Sequence, residues 1–317
     1  MSYLLSNTIE YLKEANQQPP LYTMDPAEER NRREIALKLK TKTRSSFIKK
    51  KDQLIPVRDG SKIKVRIYTP KGNGPFPIII YYHGGGWVLN SIETCDESCQ
   101  LLAESTNSVV VSVNYRLAPE YKFPTPVYDA YDAFLWTVKN NNRLNGNKKI
   151  IVAGDSAGGN LATVVTLLNR DLQGPEIHAQ ILLYPVTDLT FSTPSYEEFA
   201  VGFGLLKEDM AWFRKHYLNN VNETFHQYAS PLLADDLSNL PPAFIAVAEN
   251  DVLRDEGIRY ANKLIEFGGK VELTVARGLV HSYFTKNQFF DENIKDTIFQ
   301  IRAFLSTITT KGEINAS

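Results

Sequence analysis

A serine at the centre of a glycine-flanked turn is the part of this chain that most clearly points to chemistry. Residues 154–158 have the sequence Gly-Asp-Ser-Ala-Gly, with Ser156 in the middle. An apolar run at 150–153 precedes them, and a helix-forming stretch at 161–165 follows. Strand, tight turn and helix in that order are typical of a nucleophile elbow, which presents a serine hydroxyl at the end of a strand. The glycines allow the backbone to turn sharply without Cβ clashes.

A serine nucleophile needs a base, because an alcohol is a poor nucleophile at neutral pH. The chain has five histidines, namely His83, His178, His216, His226 and His281. Of these, His281 comes late in the chain, in a glycine-containing loop after the strand-like run 271–275. A histidine at the carboxyl end of a strand faces the edge where α/β sheets bind ligands. We therefore expect His281 to be the general base.

The acid that orients the base is expected between the serine and the histidine, at another strand end. An apolar run at 243–248 predicts that strand, and the turn after it contains Glu249, Asp251, Asp255 and Glu256. Asp255 and Glu256 would open the following helix, where carboxylates are ordinary helix-start residues. Asp251 comes first in the turn beyond the strand, so it is the favoured acid. Asp255 remains the alternative.

A glycine-rich loop follows a third predicted strand, at 77–82. It begins with His83 and continues with three consecutive glycines at 84–86. Such glycines leave bare amide N–H groups that can converge on a small anion, as an oxyanion hole requires. The alternative, a flexible turn, needs one glycine rather than three. We expect His83 to order this loop through a hydrogen bond within it rather than to act as the base.

These motifs resemble the hormone-sensitive-lipase family of carboxylesterases, within the α/β-hydrolases. The matching segments are His-Gly-Gly-Gly-Trp at 83–87, Tyr-Arg-Leu-Ala-Pro-Glu at 115–120 with Phe-Pro at 123–124, Gly-Asp-Ser-Ala-Gly-Gly-Asn at 154–160 and Asp-Val-Leu-Arg-Asp-Glu at 251–256. They occur in the order that the family has. The resemblance implies hydrolysis of short- to medium-chain carboxylic esters through an acyl-enzyme, with no metal and no cofactor.

The resemblance also implies a role for each matching residue. Ser156 would be the nucleophile, Asp251 the acid and His281 the base. Two positions depart from the family's pattern, because Val252 stands where proline is usual and Ser282 where glycine is commoner. Neither departure removes a catalytic group.

The family's oxyanion hole is built from three backbone N–H groups. In this chain they would be those of Gly85, Gly86 and Ala157. Gly84 would shape the loop, and His83 would support it.

The elements that must position these residues follow from hydrophobic patterning. Strands are predicted at 53–57, 62–70, 77–82, 109–115, 149–154, 179–184, 243–248 and 271–276. Helices are predicted near 93–105, 125–139, 157–170, 255–267 and 291–306. The first two strands flank Asp-Gly at 59–60, a hairpin turn signal. The later strands alternate with helices, which favours a mostly parallel, doubly wound sheet. The fold class is therefore α/β, an eight-stranded α/β-hydrolase sheet flanked by helices, with a helical cap.

Two segments do not follow that alternation. Residues 1–50 are charged and helical in pattern, with a helix start at 25–28, and residues 190–235 are rich in aromatic side chains. We expect both to form a cap over Ser156, and the remaining residues, 51–189 and 236–317, to form the core. Some cap side chains would line an apolar substrate pocket. The candidate pocket residues are Trp87, Phe203, Leu205 and Leu206. The alternative is that the aromatic cluster is only the cap's own core.

Composition excludes several classes of protein. A net charge of −1 gives no basic surface for nucleic acid. No apolar run approaches the roughly 18 residues of a membrane span, and the N-terminus lacks the pattern of a secretory signal. The basic segment 38–51 is interpreted as a solvated face or linker. Two cysteines, Cys95 and Cys99, are too few for a disulfide framework or a structural zinc site. The expected location is the cytoplasm.

Other functions remain open at this stage. An amidase, deacetylase or lactonase would use the same three catalytic residues, and nothing in the chain separates ester from amide. Plant gibberellin receptors share the architecture but have lost the catalytic histidine, so the presence of His281 argues against a purely binding protein. The expected partner is a small-molecule ester. The resemblance also allows a homodimer, formed through sheet edges or late helices.

Overall fold

Eight strands in the described part of the chain form one mixed sheet. The computed structural model describes residues 3–39 and 48–314. The strand order is β1-β2-β4-β3-β5-β6-β7-β8; β2 runs antiparallel to both β1 and β4, and the other neighbours are parallel. The strands are β1 Lys49–Pro56, β2 Lys62–Thr69, β3 Phe76–Tyr82, β4 Val109–Asn114, β5 Gly146–Asp155, β6 Ala179–Leu183, β7 Ala243–Asn250 and β8 Val271–Val280. The predicted α/β class with a mostly parallel sheet is confirmed.

Helices cover both faces of this sheet. They are α1 Ser6–Ala15, α2 Pro26–Leu39, α3 Asp96–Thr106, α4 Thr125–Lys139, α5 Ala157–Asp171, α6 Ser195–Glu198, α7 Lys207–Tyr217, α8 Arg254–Glu266 and α9 Asn287–Ile314. Side chains of β3 alternate between two hydrophobic clusters. Ile78 and Ile80 pack with α4 and α5, whereas Ile79 and Tyr81 pack with α3 and α9. A strand buried on both faces must be apolar throughout, which explains the continuous run in β3. No described helix combines the length and the apolarity that crossing a bilayer requires.

The predicted hairpin is formed by β1 and β2. Gly60 has φ +86°, a conformation that favours glycine, and the Asp59 carboxylate accepts the backbone N–H of Ser61 at 3.0 Å. The first strand begins at Lys49, four residues before its predicted start, because Lys49 pairs with Thr69. The lysine side chains at 49–51 stay exposed, so this part of the basic segment is a solvated face. Residues 40–47 of that segment lie outside the described residues.

Strands β5, β7 and β8 are longer than predicted, and the extension of β8 bears on the site. β5 begins at Gly146 rather than at 149, and β8 continues to Val280 rather than ending at 276. The extra length of β8 is held by β7, where Asn250 pairs with Val280 after a register shift. His281 therefore comes directly after the end of β8.

The N-terminal helices contact the segment 190–235. The side-chain amide of Asn16 donates to the carbonyl of Gly202 at 3.1 Å, and the backbone N–H of Tyr22 donates to Asp209 at 3.0 Å. The α1 end also reaches the core, since the Thr8 hydroxyl donates to the carbonyl of Gly278 at 2.8 Å. The Asp25 carboxylate accepts backbone N–H groups at the start of α2, as a helix start at 25–28 predicts.

Candidate active site

Ser156 occupies the turn between β5 and α5. Its backbone has φ 54° and ψ −120°, a conformation that is strained for a residue with a Cβ and that tends to occur at functional sites. Glycine at 158 permits the turn, because a Cβ there would collide with the backbone carbonyl of Tyr82. The Ser156 N–H donates to the carbonyl of Leu183 at 2.9 Å, which anchors the turn to β6.

Three side chains form a hydrogen-bonded chain at the carboxyl ends of the strands. His281 Nε2 lies 2.9 Å from Ser156 Oγ, and His281 Nδ1 lies 2.7 Å from Asp251 Oδ2. The Asp251 carboxylate can only accept a hydrogen bond, so His281 Nδ1 carries the hydrogen and Nε2 is left to accept from the serine hydroxyl. All three side chains are buried, which excludes most of the water that would compete for these contacts.

Strand ends bring these residues together although they are up to 125 positions apart in the chain. Asp251 directly follows β7 and His281 directly follows β8, its parallel neighbour. The Leu253 N–H donates to Asp251 Oδ1 at 3.0 Å and fixes the carboxylate. The ring of Tyr184 contacts the imidazole edge to face, with centroids 4.9 Å apart.

The other three carboxylates of the turn bind elsewhere. Glu249 accepts the N–H of Gly278 at 2.7 Å. Asp255, the alternative acid, accepts the N–H of Ser195 at 2.9 Å and pairs with the Arg254 guanidinium at 2.8 Å. Glu256 is fully buried and accepts the N–H of Thr187 at 2.6 Å and that of Asp188 at 3.2 Å. These three carboxylates bind groups other than the histidine, whereas Asp251 contacts His281.

The glycine loop presents backbone N–H groups beside the serine. Among the described residues, no acceptor pairs with the N–H of Gly85, Gly86 or Ala157. Gly86 has φ +59°, and a Cβ at this position would collide with the ring of Phe213. Unpaired N–H groups of this kind are available to an anion.

Asp155 links the elbow to this loop. Its carboxylate accepts the N–H of Gly84 at 3.0 Å and the hydroxyl of Tyr81 at 2.8 Å. Burial raises the pKa of the Asp155 carboxyl, and the two hydrogen bonds oppose that rise. Asp155 belongs to the Gly-Asp-Ser-Ala-Gly segment, but its two partners could not be identified from the sequence, because they lie more than 70 positions away.

His83 is buried and stacks on Tyr115, with ring centroids 4.4 Å apart. Its Nδ1 lies 2.8 Å from the carbonyl of Gly84, which can only accept, so Nδ1 carries the hydrogen. Burial lowers the pKa of His83 to about 4, so the ring is neutral at neutral pH. Its Nε2 has no partner among the described residues.

Comparison with known proteins identifies the family. A family model for the α/β-hydrolase fold matches residues 79–285. The carboxylic ester hydrolase LipN of Mycobacterium tuberculosis is 41% identical over 257 residues, which are 78% of this chain and 68% of that protein. The chain belongs to the hormone-sensitive-lipase-like carboxylesterases of the α/β-hydrolase fold.

Two further relatives support the same activity. An arylesterase of Saccharolobus solfataricus is 38% identical over 243 residues, 76% of each chain. The solved structure of a hyperthermophilic esterase from the archaeon Pyrobaculum calidifontis superposes with a TM-score of 0.86 and 38% identity, covering 96% of this chain and 99% of that one. The protein is a carboxylic ester hydrolase.

The predicted pocket residues of this esterase differ in how deeply they are buried. Trp87 is fully buried and stacks on Tyr217, with centroids 4.1 Å apart. Phe203, Leu205 and Leu206 are half-buried. Phe213 of α7 lies against Gly86, so an aromatic side chain of the segment 190–235 reaches the glycine loop. The sequence placed Phe213 in the aromatic cluster without singling it out, since the direction in which α7 faces is not visible in the pattern.

Two cavities of the described structure lie away from Ser156. One, of about 880 Å³, is at the opposite edge of the sheet, where Lys149 and Ala179 stand at the beginnings of their strands. The other, of about 810 Å³, lies between α2 and residues 90–97. The predicted pocket residues line neither cavity. No cluster of three or more metal-ligating side chains occurs within residues 3–39 and 48–314.

Proposed function

We propose that this esterase hydrolyses small, short- to medium-chain carboxylic esters through an acyl-enzyme on Ser156. The observation that supports the proposal most directly is the continuous hydrogen-bonded chain from Ser156 through His281 to Asp251, with contacts of 2.9 and 2.7 Å. A buried serine in contact with an oriented imidazole is the arrangement that activates an alcohol.

In the acylation step, His281 Nε2 removes the proton of Ser156 Oγ as the oxygen attacks the ester carbonyl. The carbonyl oxygen becomes an oxyanion, and Asp251 stabilises the imidazolium that forms. The imidazolium then gives its proton to the leaving alkoxide oxygen. The alcohol departs, and the acyl group stays on Ser156.

Deacylation repeats the same proton transfers with water. His281 removes a proton from a water molecule, whose oxygen attacks the acyl carbonyl. The second oxyanion collapses, Ser156 Oγ leaves with the proton from the imidazolium, and the carboxylic acid is released. The enzyme returns to its starting protonation state.

The N–H groups of Gly85, Gly86 and Ala157 are proposed to bind the oxyanion in both steps. Their lack of acceptors within the described residues supports this role. Losing one such donor costs roughly 10²–10³ in kcat in comparable enzymes. Gly84 and His83 are proposed to hold the loop in place.

Residues 1–50 and 190–235 are proposed to act as one cap over the core. The contacts of Asn16 with Gly202 and of Tyr22 with Asp209 support a joint unit. Apolar side chains of this cap, including Phe203, would receive the acyl or alcohol group. A narrow, apolar pocket favours short chains over long ones.

The test is hydrolysis of p-nitrophenyl esters from acetate to palmitate, with Ser156→Ala as the paired variant. We expect a rate maximum at short or medium chains and loss of turnover in Ser156→Ala at unchanged melting temperature. A p-nitroanilide with the best acyl chain, assayed beside the ester, separates an esterase from an amidase. Full activity of pure Ser156→Ala would refute the acyl-enzyme, and faster anilide cleavage would assign an amidase.

The outer edge of β8 around Val275, before the contact of Gly278 with the N-terminal segment, is proposed as a homodimer contact. β8 pairs on one side with β7 and ends the sheet, and Val275 on it is 39% exposed. An unpaired strand edge readily pairs with another chain. Light scattering of wild type and Val275→Lys would decide: a dimer that the lysine weakens supports the proposal, and a wild-type monomer rejects it.

The cytoplasm is proposed as the location. Both cysteines, Cys95 and Cys99, are buried free thiols, which suits a reducing compartment. Cell fractionation with antibody detection tests this, and recovery of the esterase from the secreted fraction would overturn it.

A further inference from the structure

Each proposed oxyanion donor shares a peptide plane with the carbonyl of the residue before it. The N–H of Gly85 belongs with the carbonyl of Gly84, that of Gly86 with Gly85, and that of Ala157 with Ser156. These peptide bonds are trans, so the N–H and the C=O of each plane point in opposite directions. The hydrogen bonds that the carbonyl accepts therefore also fix the direction of the N–H in the same peptide plane.

All three carbonyls are held by two donors each, but the donors differ in kind. For Gly85 and Ser156 they are backbone N–H groups: Val88 at 3.1 Å and Leu89 at 2.8 Å for Gly85, and Asn160 at 3.0 Å and Val186 at 3.2 Å for Ser156. For Gly84 they are side chains, His83 Nδ1 at 2.8 Å and Asn90 Nδ2 at 3.2 Å. The direction of the Gly85 N–H thus depends on side chains.

Asn90 is itself fixed by a residue of the N-terminal segment. Arg33 Nη1 of α2 donates to Asn90 Oδ1 at 2.8 Å. A guanidinium can only donate, so the atom facing Arg33 must be the amide oxygen. The amide nitrogen of Asn90 is then left facing the carbonyl of Gly84. Asn90 has φ +71°, which asparagine tolerates better than most residues.

Arg33 is held in turn by a buried carboxylate. Its Nε donates to Glu29 at 2.6 Å, and Glu29 is 1% exposed. Arg32 binds the same carboxylate, also at 2.6 Å, and its other described partner is Gln18. Arg32 thus shares the helix and the anion with Arg33 but has no contact with Asn90.

We propose that Arg33 and Asn90 are positioning residues through which helix α2 aims the N–H of Gly85 at the developing oxyanion. The inference rests on the proposed role of Gly85 as an oxyanion donor. Neither side chain touches the substrate. Both act on the reaction through the peptide between Gly84 and Gly85.

If Asn90 and Arg33 no longer position the N–H of Gly85, the transition state loses more stabilisation than the bound ester does. The charge on the substrate oxygen grows as the tetrahedral intermediate forms, so a misaimed donor costs most at that point. Removing a donor outright costs roughly 10²–10³ in kcat. Misaiming one while His83 still holds the carbonyl is expected to cost less, about tenfold in kcat with KM little changed.

Asn90→Asp is the sharpest variant. It keeps the size of the side chain and the contact with Arg33, but it puts an acceptor oxygen where the amide donated to Gly84. Arg33→Gln removes the guanidinium that fixes Asn90, and Arg32→Gln is its matched control. Helix α2 stays attached in both arginine variants, because Arg30 Nε donates to the carbonyl of Val88 at 2.7 Å.

The measurements are kcat and KM on the preferred p-nitrophenyl ester, the melting temperature, and Ki for a trifluoromethyl ketone with the same acyl chain. The free ketone form of this probe is attacked at its carbonyl carbon by Ser156 Oγ, whose proton passes to His281, and the product is a hemiketal oxyanion. Its Ki therefore reports directly on binding in the oxyanion hole. We expect Asn90→Asp and Arg33→Gln to lower kcat about tenfold and raise Ki in step, with KM within about twofold. Arg32→Gln should match wild type in all three.

Two results would overturn the inference. One is Asn90→Asp with wild-type kcat and Ki, and the other is an equal loss of kcat in Arg33→Gln and Arg32→Gln. Ser156→Ala measured alongside keeps the two proposals apart. If it is inactive while Asn90→Asp is normal, the positioning inference alone fails. If it is active, the proposed function fails.

Discussion

The carboxylate of Asp155 accepts the amide N–H of Gly84 at 3.0 Å. This one hydrogen bond joins the residue before Ser156 to the loop that is proposed to bind the oxyanion. The hydroxyl of Tyr81 meets the same oxygen at 2.8 Å, so three elements converge on one buried group. The spacing between the serine and the glycine loop therefore depends on Asp155.

Asp155→Ala should lower both activity and stability. The substitution leaves the Gly84 N–H and the Tyr81 hydroxyl buried without a partner, and each such group costs about 1–3 kcal/mol. We expect the free energy of unfolding in urea to fall by about 2–4 kcal/mol and kcat to fall at least tenfold. Tyr81→Phe removes one donor and leaves the Gly84 contact, so its effect on kcat should be smaller. Equal kcat in wild type and Asp155→Ala would contradict this role.

Asp251→Asn should nearly abolish turnover, whereas Asp255→Asn should not. An asparagine cannot stabilise the imidazolium and favours the wrong tautomer of His281, which costs about 10⁴ in kcat in a comparable triad. Asp255 is the matched neighbour, since it binds Ser195 and Arg254 rather than the histidine. Steady-state kinetics of both variants at pH 8 decide between them. A larger loss in Asp255→Asn would make Asp255 the acid.

Gly86→Ala and Phe213→Ala should not be additive. A Cβ at Gly86 would strike the Phe213 ring, and alanine at φ +59° adds backbone strain. We expect Gly86→Ala to lower kcat about 100-fold or more, and the double variant to recover part of that loss because the ring is gone. The loss of kcat that remains in the double variant would measure the backbone strain of alanine at position 86. A double variant as poor as the product of the two single losses would show that the ring is not the obstacle.

His83 should make the protein less stable as the pH falls below about 6.5. Burial lowers the pKa of His83 to about 4 in the folded state, while an unfolded histidine titrates near about 6.5. The unfolded chain therefore takes up a proton first as the pH falls. The contribution of His83 to the free energy of unfolding is fully present above about pH 6.5. It falls by up to about 3 kcal/mol as the pH decreases from there to about 4.

Urea unfolding of wild type and His83→Gln between pH 7.5 and 4 measures this effect as the change in their difference. The same substitution at His178, whose side chain is 26% exposed, corrects for removing a histidine near the surface. Parallel stability curves for wild type and His83→Gln would mean that folding does not lower the pKa of His83.

Local signals were sufficient to predict much of the fold. The hairpin around Gly60 and the elbow at Ser156 are turns whose chemistry lies within a few residues, so their positions follow from the sequence. The strand boundaries that differed were set by partners. Lys49 is in a strand because Thr69 pairs with it, and β8 continues to Val280 because Asn250 pairs there.

The contacts that support the site could not be predicted from local sequence patterns. Asp155 meets Gly84 across 71 positions, and Arg33 meets Asn90 across 57. Arg33 and Asn90 belong to no motif identified in the sequence, and an arginine on a charged helix is usually a solvated side chain. Their function depends on which element packs beside them, and that is a property of the tertiary structure.

The hydrogen bond from Thr8 to Gly278 has a consequence for biosynthesis. The two residues are 270 positions apart, so the first helix leaves the ribosome long before the strand that receives it. At about 5–20 residues per second, the interval is roughly 15–50 s. During that time the helix lacks its partner, and His281 emerges last of the three proposed catalytic residues. A nascent chain is therefore expected to be inert towards esters until His281 has left the ribosome.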